Sequence, residues 1–253
     1  MHPSATWETV DAMTDPDDPA TDELLLGVLH ESRELGFLGP GPIEPQMAHA
    51  RAFLPLLTDA RQVLDLGSGG GLPGLVLAVS LPSAEFVLLD GNRRRCAFLS
   101  SAVERLDLAD RVRVELGRAE ELARRPDLDG RFDVVVARSF GAPAITAECA
   151  VRFLVHPDSP GSPAWDDAGG SVGSSGPVTH PGAGGRLLVS EPPTGSEDRW
   201  PEDGLALLGL ASGTRHALAD ATIQELVVVE RCDTRFPRRV GIPTKRPLFG
   251  PTG

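Results

Sequence analysis

Two acidic residues and a run of glycines hold the chemistry most plainly written in this chain. Asp65 stands just before Gly67-Ser68-Gly69-Gly70-Gly71-Leu72-Pro73-Gly74, and Asp90 closes the next apolar run. Glycines at that density let a backbone approach a small polar ligand with no side chain in the way. Residues 69–74 satisfy G-x-G-x-x-G, which alone admits a dinucleotide. Asp65 argues against that ligand. A carboxylate two residues before Gly67 sits poorly beside a pyrophosphate and well beside an ammonium group, directly or through water. S-adenosylmethionine carries such an ammonium. Asp90 ends the second strand, where a carboxylate accepts both ribose hydroxyls. The backbone of Gly117-Arg118-Ala119-Glu120-Glu121 follows the third strand and is placed to read an adenine edge. A dinucleotide site and a ligand-free structural turn are the competing readings of the loop.

These residues need a scaffold, and the apolar pattern supplies one. After a polar leader, Leu24, Leu25, Val28, Leu29 and Leu35 mark an amphipathic helix that starts at Thr21-Asp22 and ends near Gly36. A second helix is expected over 44–57. Strands are expected at 61–66, 85–90, 111–116 and 132–137, with helices at 74–81, 92–107, 119–125 and 142–154. That alternation predicts a parallel sheet covered on both faces. Residues 156–185 contain eight Gly, five Pro and five Ser, a composition unable to bury a core, so they read as a flexible insertion. A fifth strand at 185–190, a helix at 202–209 and an antiparallel hairpin of 213–219 with 223–231 complete the domain. The expected organisation is a disordered acidic leader (1–20), an N-terminal helical extension (21–58), a cofactor-binding α/β domain (59–233) and a basic C-terminal tail (234–253).

Composition sets the outer limits. Hydrophobic residues make up 41% of the 253 and charged residues 24%, the balance of a soluble globular protein. No apolar run approaches the roughly 18 residues of a membrane helix, and the first residues lack a signal-peptide pattern. Cys96, Cys149 and Cys232 lie far apart, which suggests neither a disulfide framework nor a metal cluster. A cytoplasmic, monomeric protein without membrane or metal is expected. The net charge of −12 argues against a generic nucleic-acid binder, yet it is uneven: residues 1–35 hold nine acids and one base, whereas residues 231–253 hold six bases and one acid.

Beyond the glycines, longer blocks resemble one family, the glucose-inhibited division protein B (GidB, RsmG) methyltransferases, which methylate guanine N7 in 16S ribosomal RNA. Leu66 to Gly74 carries the Leu-Pro-Gly ending that most methyltransferases lack. Leu88-Leu89-Asp90-Gly91-Asn92-Arg93-Arg94-Arg95, Gly117 to Glu121 and Val136-Ala137-Arg138-Ser139-Phe140 are similar to its next blocks, and Arg235 to Leu248 to its basic C-terminal signature. The resemblance implies a class I S-adenosylmethionine-dependent methyltransferase. Its fold is an α/β, Rossmann-like, seven-stranded and mostly parallel sheet. Its partner is the small ribosomal subunit. It further implies that the cofactor meets Gly67, Gly69, Gly71 and Leu72 of the loop, with Asp65 nearby and Asp90 on the ribose. Ala119 and Glu120 then bracket the adenine, and Arg138 stands between cofactor and substrate. The chain departs from the family at Gly36-Phe37-Leu38-Gly39-Pro40, where Asn-Leu-Thr is usual. His49 alone survives of a second element, and Ser190-Glu191-Pro192-Pro193 replaces a lysine and glycine after the fifth strand.

Guanine N7 attacks through an in-plane lone pair and loses no proton first, so positioning and electrostatics carry the catalysis. Arg138, the expected catalytic residue, has the fork to hydrogen-bond a guanine O6 or a phosphate. Phe140 is placed to stack on a base. His49 and the basic residues Arg238, Arg239, Lys245 and Arg246 are the further candidates for substrate contact, the last four by neutralising phosphates. Two other functions stay open on sequence: a methyltransferase of this fold with a small-molecule substrate, and a cofactor-binding protein without catalysis.

Overall fold

The computed structural model describes residues 19–157, 184–192, 194 and 199–250. The acidic leader through residue 18, residues 158–183 of the expected insertion and Pro193 lie outside them. Seven strands form one sheet: β1 (Gln62–Leu66), β2 (Glu85–Asp90), β3 (Val112–Leu116), β4 (Val134–Ala137), β5 (Arg186–Glu191), β6 (Leu210–Ala217) and β7 (Thr222–Val228). Their order is β3-β2-β1-β4-β5-β7-β6. The first five are parallel, and β7 runs antiparallel to both β5 and β6. Strand order reverses between β1 and β4. In open parallel sheets that switch point opens a crevice at the carboxyl ends of the strands.

The apolar runs form strands because both faces of the sheet are covered. Along β1 the side chains alternate: Val63 joins the apolar cluster on one face, Leu64 and Leu66 the cluster on the other. The helices are α1 (Pro19–Glu34), α2 (Ile43–Arg51), α3 (Gly74–Ser80), α4 (Arg93–Arg105), α5 (Ala119–Leu122), α6 (Pro143–Ala150), α7 (Glu202–Ala206) and α8 (Ile242–Lys245). The first face is covered by α1 to α4. Leu25, Val28 and Leu29 of α1 and Ile43 and Met47 of α2 share its cluster with Val63, Leu75 and Leu88. The N-terminal helices therefore belong to the same core as the sheet.

Helix ends differ from expectation where local chemistry intervenes. The second helix stops at Arg51 and gives way to a tight turn over Leu54–Leu56, because Pro55 has no N–H to continue the ladder. The sixth ends at Ala150 and tightens over Val151–Phe153. Helix α7 stops at Ala206, and Gly209 then turns at φ +70° to feed β6. The hairpin is antiparallel as expected, but β6 begins at Leu210 and carries a bulge between Ser212 and Arg215. Residues 234–250 do not behave as a loose tail. They pack across α5 and α6, with Phe236 buried and the carbonyls of Thr234, Arg235 and Pro237 accepting from Arg124.

Candidate active site

The glycine loop leaves β1 and is held from both sides. Gly67 and Ser68 both donate their N–H to the Leu89 carbonyl, at 2.8 and 2.9 Å. Gly67 has φ +76°, and a Cβ there would meet the Phe140 ring at 2.5 Å. The loop thus needs glycine at this point for conformation and for space. On the other side α1 presses down. Ser32 donates its hydroxyl to the Gly70 carbonyl at 2.8 Å, and a Cβ on Gly70 would collide with Ser32 and Leu38.

Asp65 lies beneath this loop, fully buried. Its Oδ2 accepts from the Gly74 N–H at 3.0 Å, where α3 begins, while Oδ1 has no partner among the described residues. Burial raises the carboxyl to about 7, against the hydrogen bond from Gly74 that favours the charged form.

Above the loop runs a cleft in two lobes that meet at Gly67. One, of about 340 Å³, is lined by Leu89, Asp90, Arg95, Ala119, Glu120 and Phe140. The Asp90 carboxylate accepts from the backbone of Gly69 at 2.9 Å and Asn92 at 2.7 Å, with Arg95 at 3.7 Å. It ties the glycine loop to the end of β2 and still faces the lobe. Glu120 is buried and accepts from Arg118 at 3.4 Å and from the Gly241 N–H at 3.1 Å. The other lobe, of about 200 Å³, is lined by Phe37, Leu38, Gln46, Gly69, Leu72 and Arg138. Arg138 donates through Nη2 to the Gln46 side chain at 3.3 Å, and its buried Nη1 has no partner among the described residues.

His49 stands one helical turn after Gln46 on α2. Its Nε2 lies 2.8 Å from Ser190 Oγ at the end of β5, and the Asp220 carbonyl accepts from the ring. Burial, and then the positive charge of Arg138, lower the imidazole's pKa, which favours the neutral ring. A neutral ring that donates one N–H to Asp220 accepts the Ser190 proton at Nε2.

Gly67, Gly69, Leu72, Asp90, Ala119, Glu120, Arg138 and Phe140 therefore line one cleft. Asp65 and Gly71 line neither lobe; they lie within the loop's support. The basic residues divide. Arg238 is turned inward onto buried Glu148, and its Nη2 also donates to the Arg246 carbonyl. Arg239, Lys245 and Arg246 are exposed on the segment whose Gly241 N–H reaches Glu120, and none of them lines either lobe. Sequence reasoning missed Ser32, Gln46 and Glu148. Gln46 had a signal, since it lies three residues before His49 and so on the same face of its helix.

The donor set fits S-adenosylmethionine. An acid at the end of β2 suits a ribose, small Ala119 leaves room for a planar base, and the unpartnered Nη1 of Arg138 offers a donor to a carboxylate. Together with the sheet order, this cleft defines a class I S-adenosylmethionine-dependent methyltransferase fold. The fold recurs in a methyltransferase from Geobacter sulfurreducens at TM-score 0.51 and 14% identity, covering 85% of this chain and 91% of that one. It recurs also in an O-methyltransferase from Bacillus cereus in complex with SAH at TM-score 0.50 and 15% identity, covering 81% and 90%. The sequence pattern of the rRNA small subunit methyltransferase G family (GidB) matches residues 44–158. The chain is 36% identical over 191 residues to ribosomal RNA small subunit methyltransferase G of Deinococcus deserti, covering 74% of this chain and 68% of that protein. It is 32% identical to the protein of the same name from Parasynechococcus marenigrum, covering 76% and 69%. The chain belongs to the rRNA small subunit methyltransferase G family.

Proposed function

We propose that this protein methylates N7 of a guanine in 16S ribosomal RNA, acting as a monomer on the small ribosomal subunit in the cytoplasm. The observation that carries the reading is the charge of the cleft rim. The protein has net charge −12, yet Arg95 and Arg118 line the Asp90 lobe, each partly exposed while facing Asp90 and Glu120, and Arg94 lies over the Phe37 ring of the other lobe. A basic rim on an acidic body draws a polyanion to one place. Among the described residues, no helix is long and apolar enough to cross a membrane.

S-adenosylmethionine, when bound, supplies the electrophilic methyl group. The residues of this chain position and polarise. Asp90 holds the ribose hydroxyls, and Ala119 and Glu120 border the adenine. Arg138 fixes the amino-acid end from the lobe it lines. Asp65 acts from below the loop, through water. Phe140, seated over Gly67, excludes water from the junction between cofactor and acceptor. His49 takes no proton from the acceptor, since N7 has none to lose; it holds Ser190 and so fixes α2 against β5.

Mass mapping of small-subunit RNA tests the reading. A strain lacking this protein should lose one methyl group on a guanine, and the wild-type gene should restore it. An unchanged methylation pattern would sink the proposal.

A further inference from the structure

Beside the cofactor cleft lies a separate pocket of about 270 Å³ at the carboxyl ends of β4 and β5. Ser139 and Phe140 belong to the walls of both, so a base seated here adjoins the cofactor lobe along those two residues. Its far wall holds Glu191 and Trp200, both buried. The Glu191 side chain is only 1% exposed, an expensive place for a carboxylate. Arg199 faces it, with Nε 2.6 Å from Oε2 and Nη2 3.4 Å from Oε1, and Arg215 is 3.8 Å away. Arg199 thus takes one position on each oxygen of a carboxylate that has about four lone-pair positions. Trp200 Nε1 beside it has no acceptor among the described residues. A buried anion with an open acceptor position beside an aromatic wall is built to receive a planar group that donates.

We infer that this pocket receives the acceptor guanine and that Glu191 determines the choice of base. The inference rests on the guanine-N7 reading above. A carboxylate only accepts, through about four lone-pair positions. Guanine presents two adjacent donors, N1–H and the N2 amino group, on its Watson–Crick edge. The other three bases present one donor group each on that edge. Single-stranded RNA readers take bases by this edge while stacking them on aromatic rings. Guanine N7 lies on the opposite side of the ring system. Glu191 therefore grips the edge remote from the reaction and leaves N7 free toward Phe140 and the cofactor lobe. Arg199 and Arg215 hold the carboxylate in place as positioning residues.

The test compares small-subunit RNA carrying guanine or inosine at the acceptor position, assembled into subunits. Inosine keeps N7 and N1–H and lacks only the N2 amino group. Wild-type protein should methylate guanine at least about tenfold faster than inosine in kcat/KM, the loss of one hydrogen bond to a charged group. Glu191→Gln should lower kcat/KM on guanine and bring the two substrates within about twofold. Its affinity for S-adenosylhomocysteine, measured by calorimetry, should stay unchanged. If E191Q does not fold, Glu191→Asp keeps the charge facing Arg199, withdraws the carboxylate by one methylene, and should narrow the ratio in the same direction. Active wild type that ignores the inosine change overturns the inference, and so does a variant that keeps the wild-type ratio. Wild type that methylates no small-subunit RNA overturns the functional reading itself.

Discussion

Glu148 and Arg238, ninety residues apart, are joined by three hydrogen bonds. The backbone N–H and Nε of Arg238 both reach Oε1 at 2.8 Å, and Nη2 reaches Oε2 at 2.6 Å. The Glu148 carboxylate is completely buried. This pair fastens the C-terminal segment onto α6, and through it the Gly241 N–H arrives at Glu120 in the cleft. The arginine that the sequence offered as a phosphate ligand is thus a clamp.

Arg238→Met should destabilise the protein by about 3–5 kcal/mol, because it leaves a buried carboxylate uncompensated. Replacing both partners, as Glu148→Leu with Arg238→Met, should cost much less than the single change. Urea denaturation of the three proteins checks this. A single variant as stable as wild type would mean that Glu148 is protonated or otherwise satisfied.

The ordering of the C-terminal segment was not legible in the sequence, and the reason is physical. Its anchors are polar: Arg124 and Arg152 grip its carbonyls, and Glu148 grips Arg238. Such contacts leave no apolar period to read, and Glu148 looks like any surface acid on a helix. The strands were legible because runs such as Val134-Val135-Val136 are buried on both faces. The lining of the cleft around the glycine loop was legible because it is concentrated in one loop and the strand ends beside it. Other pairs are brought together only by the fold, such as Gln46 with Arg138 and Glu191 with Arg199. No spacing in the chain announces those pairs.

Asp90→Asn should weaken S-adenosylhomocysteine binding by the 1.5–3 kcal/mol of a charge-assisted hydrogen bond, roughly 10- to 150-fold. The variant keeps one acceptor for the Gly69 or Asn92 N–H, so its thermal midpoint should fall by far less than its affinity. Calorimetric titration is the measurement. Unchanged affinity would show that Asp90 holds only the loop and no ribose.

Gly67→Ala should reduce cofactor affinity for two reasons that act together. A side chain at φ +76° costs about 1–2 kcal/mol, and the new methyl displaces the Phe140 ring that covers the loop. The Gly27→Ala change on α1, where a Cβ meets nothing within 4 Å, is the matched control and should leave affinity intact. Equal affinities for both variants would overturn the close packing of loop and ring as a requirement for binding.

Asp65 gives the protein a specific pH response. Its carboxyl titrates at about 7 in the folded chain and near 3.9 in the unfolded chain. Between those values the unfolded chain has lost the proton that the folded chain keeps. Stability therefore falls as pH rises through this window, and the loss is complete above about 7. Asp65→Asn still accepts the Gly74 N–H but cannot ionise. It should match wild type near pH 4 and exceed it increasingly up to pH 7, by on the order of a few kcal/mol at the plateau. An ammonium brought close by bound S-adenosylhomocysteine favours the ionised carboxylate. Saturating that ligand should therefore shrink the difference above pH 7. Urea denaturation from pH 4 to 8, with and without ligand, reads both effects. A stability difference that does not change with pH would mean the carboxyl is ionised throughout, and Asp65 would then have a cationic or water partner already in place.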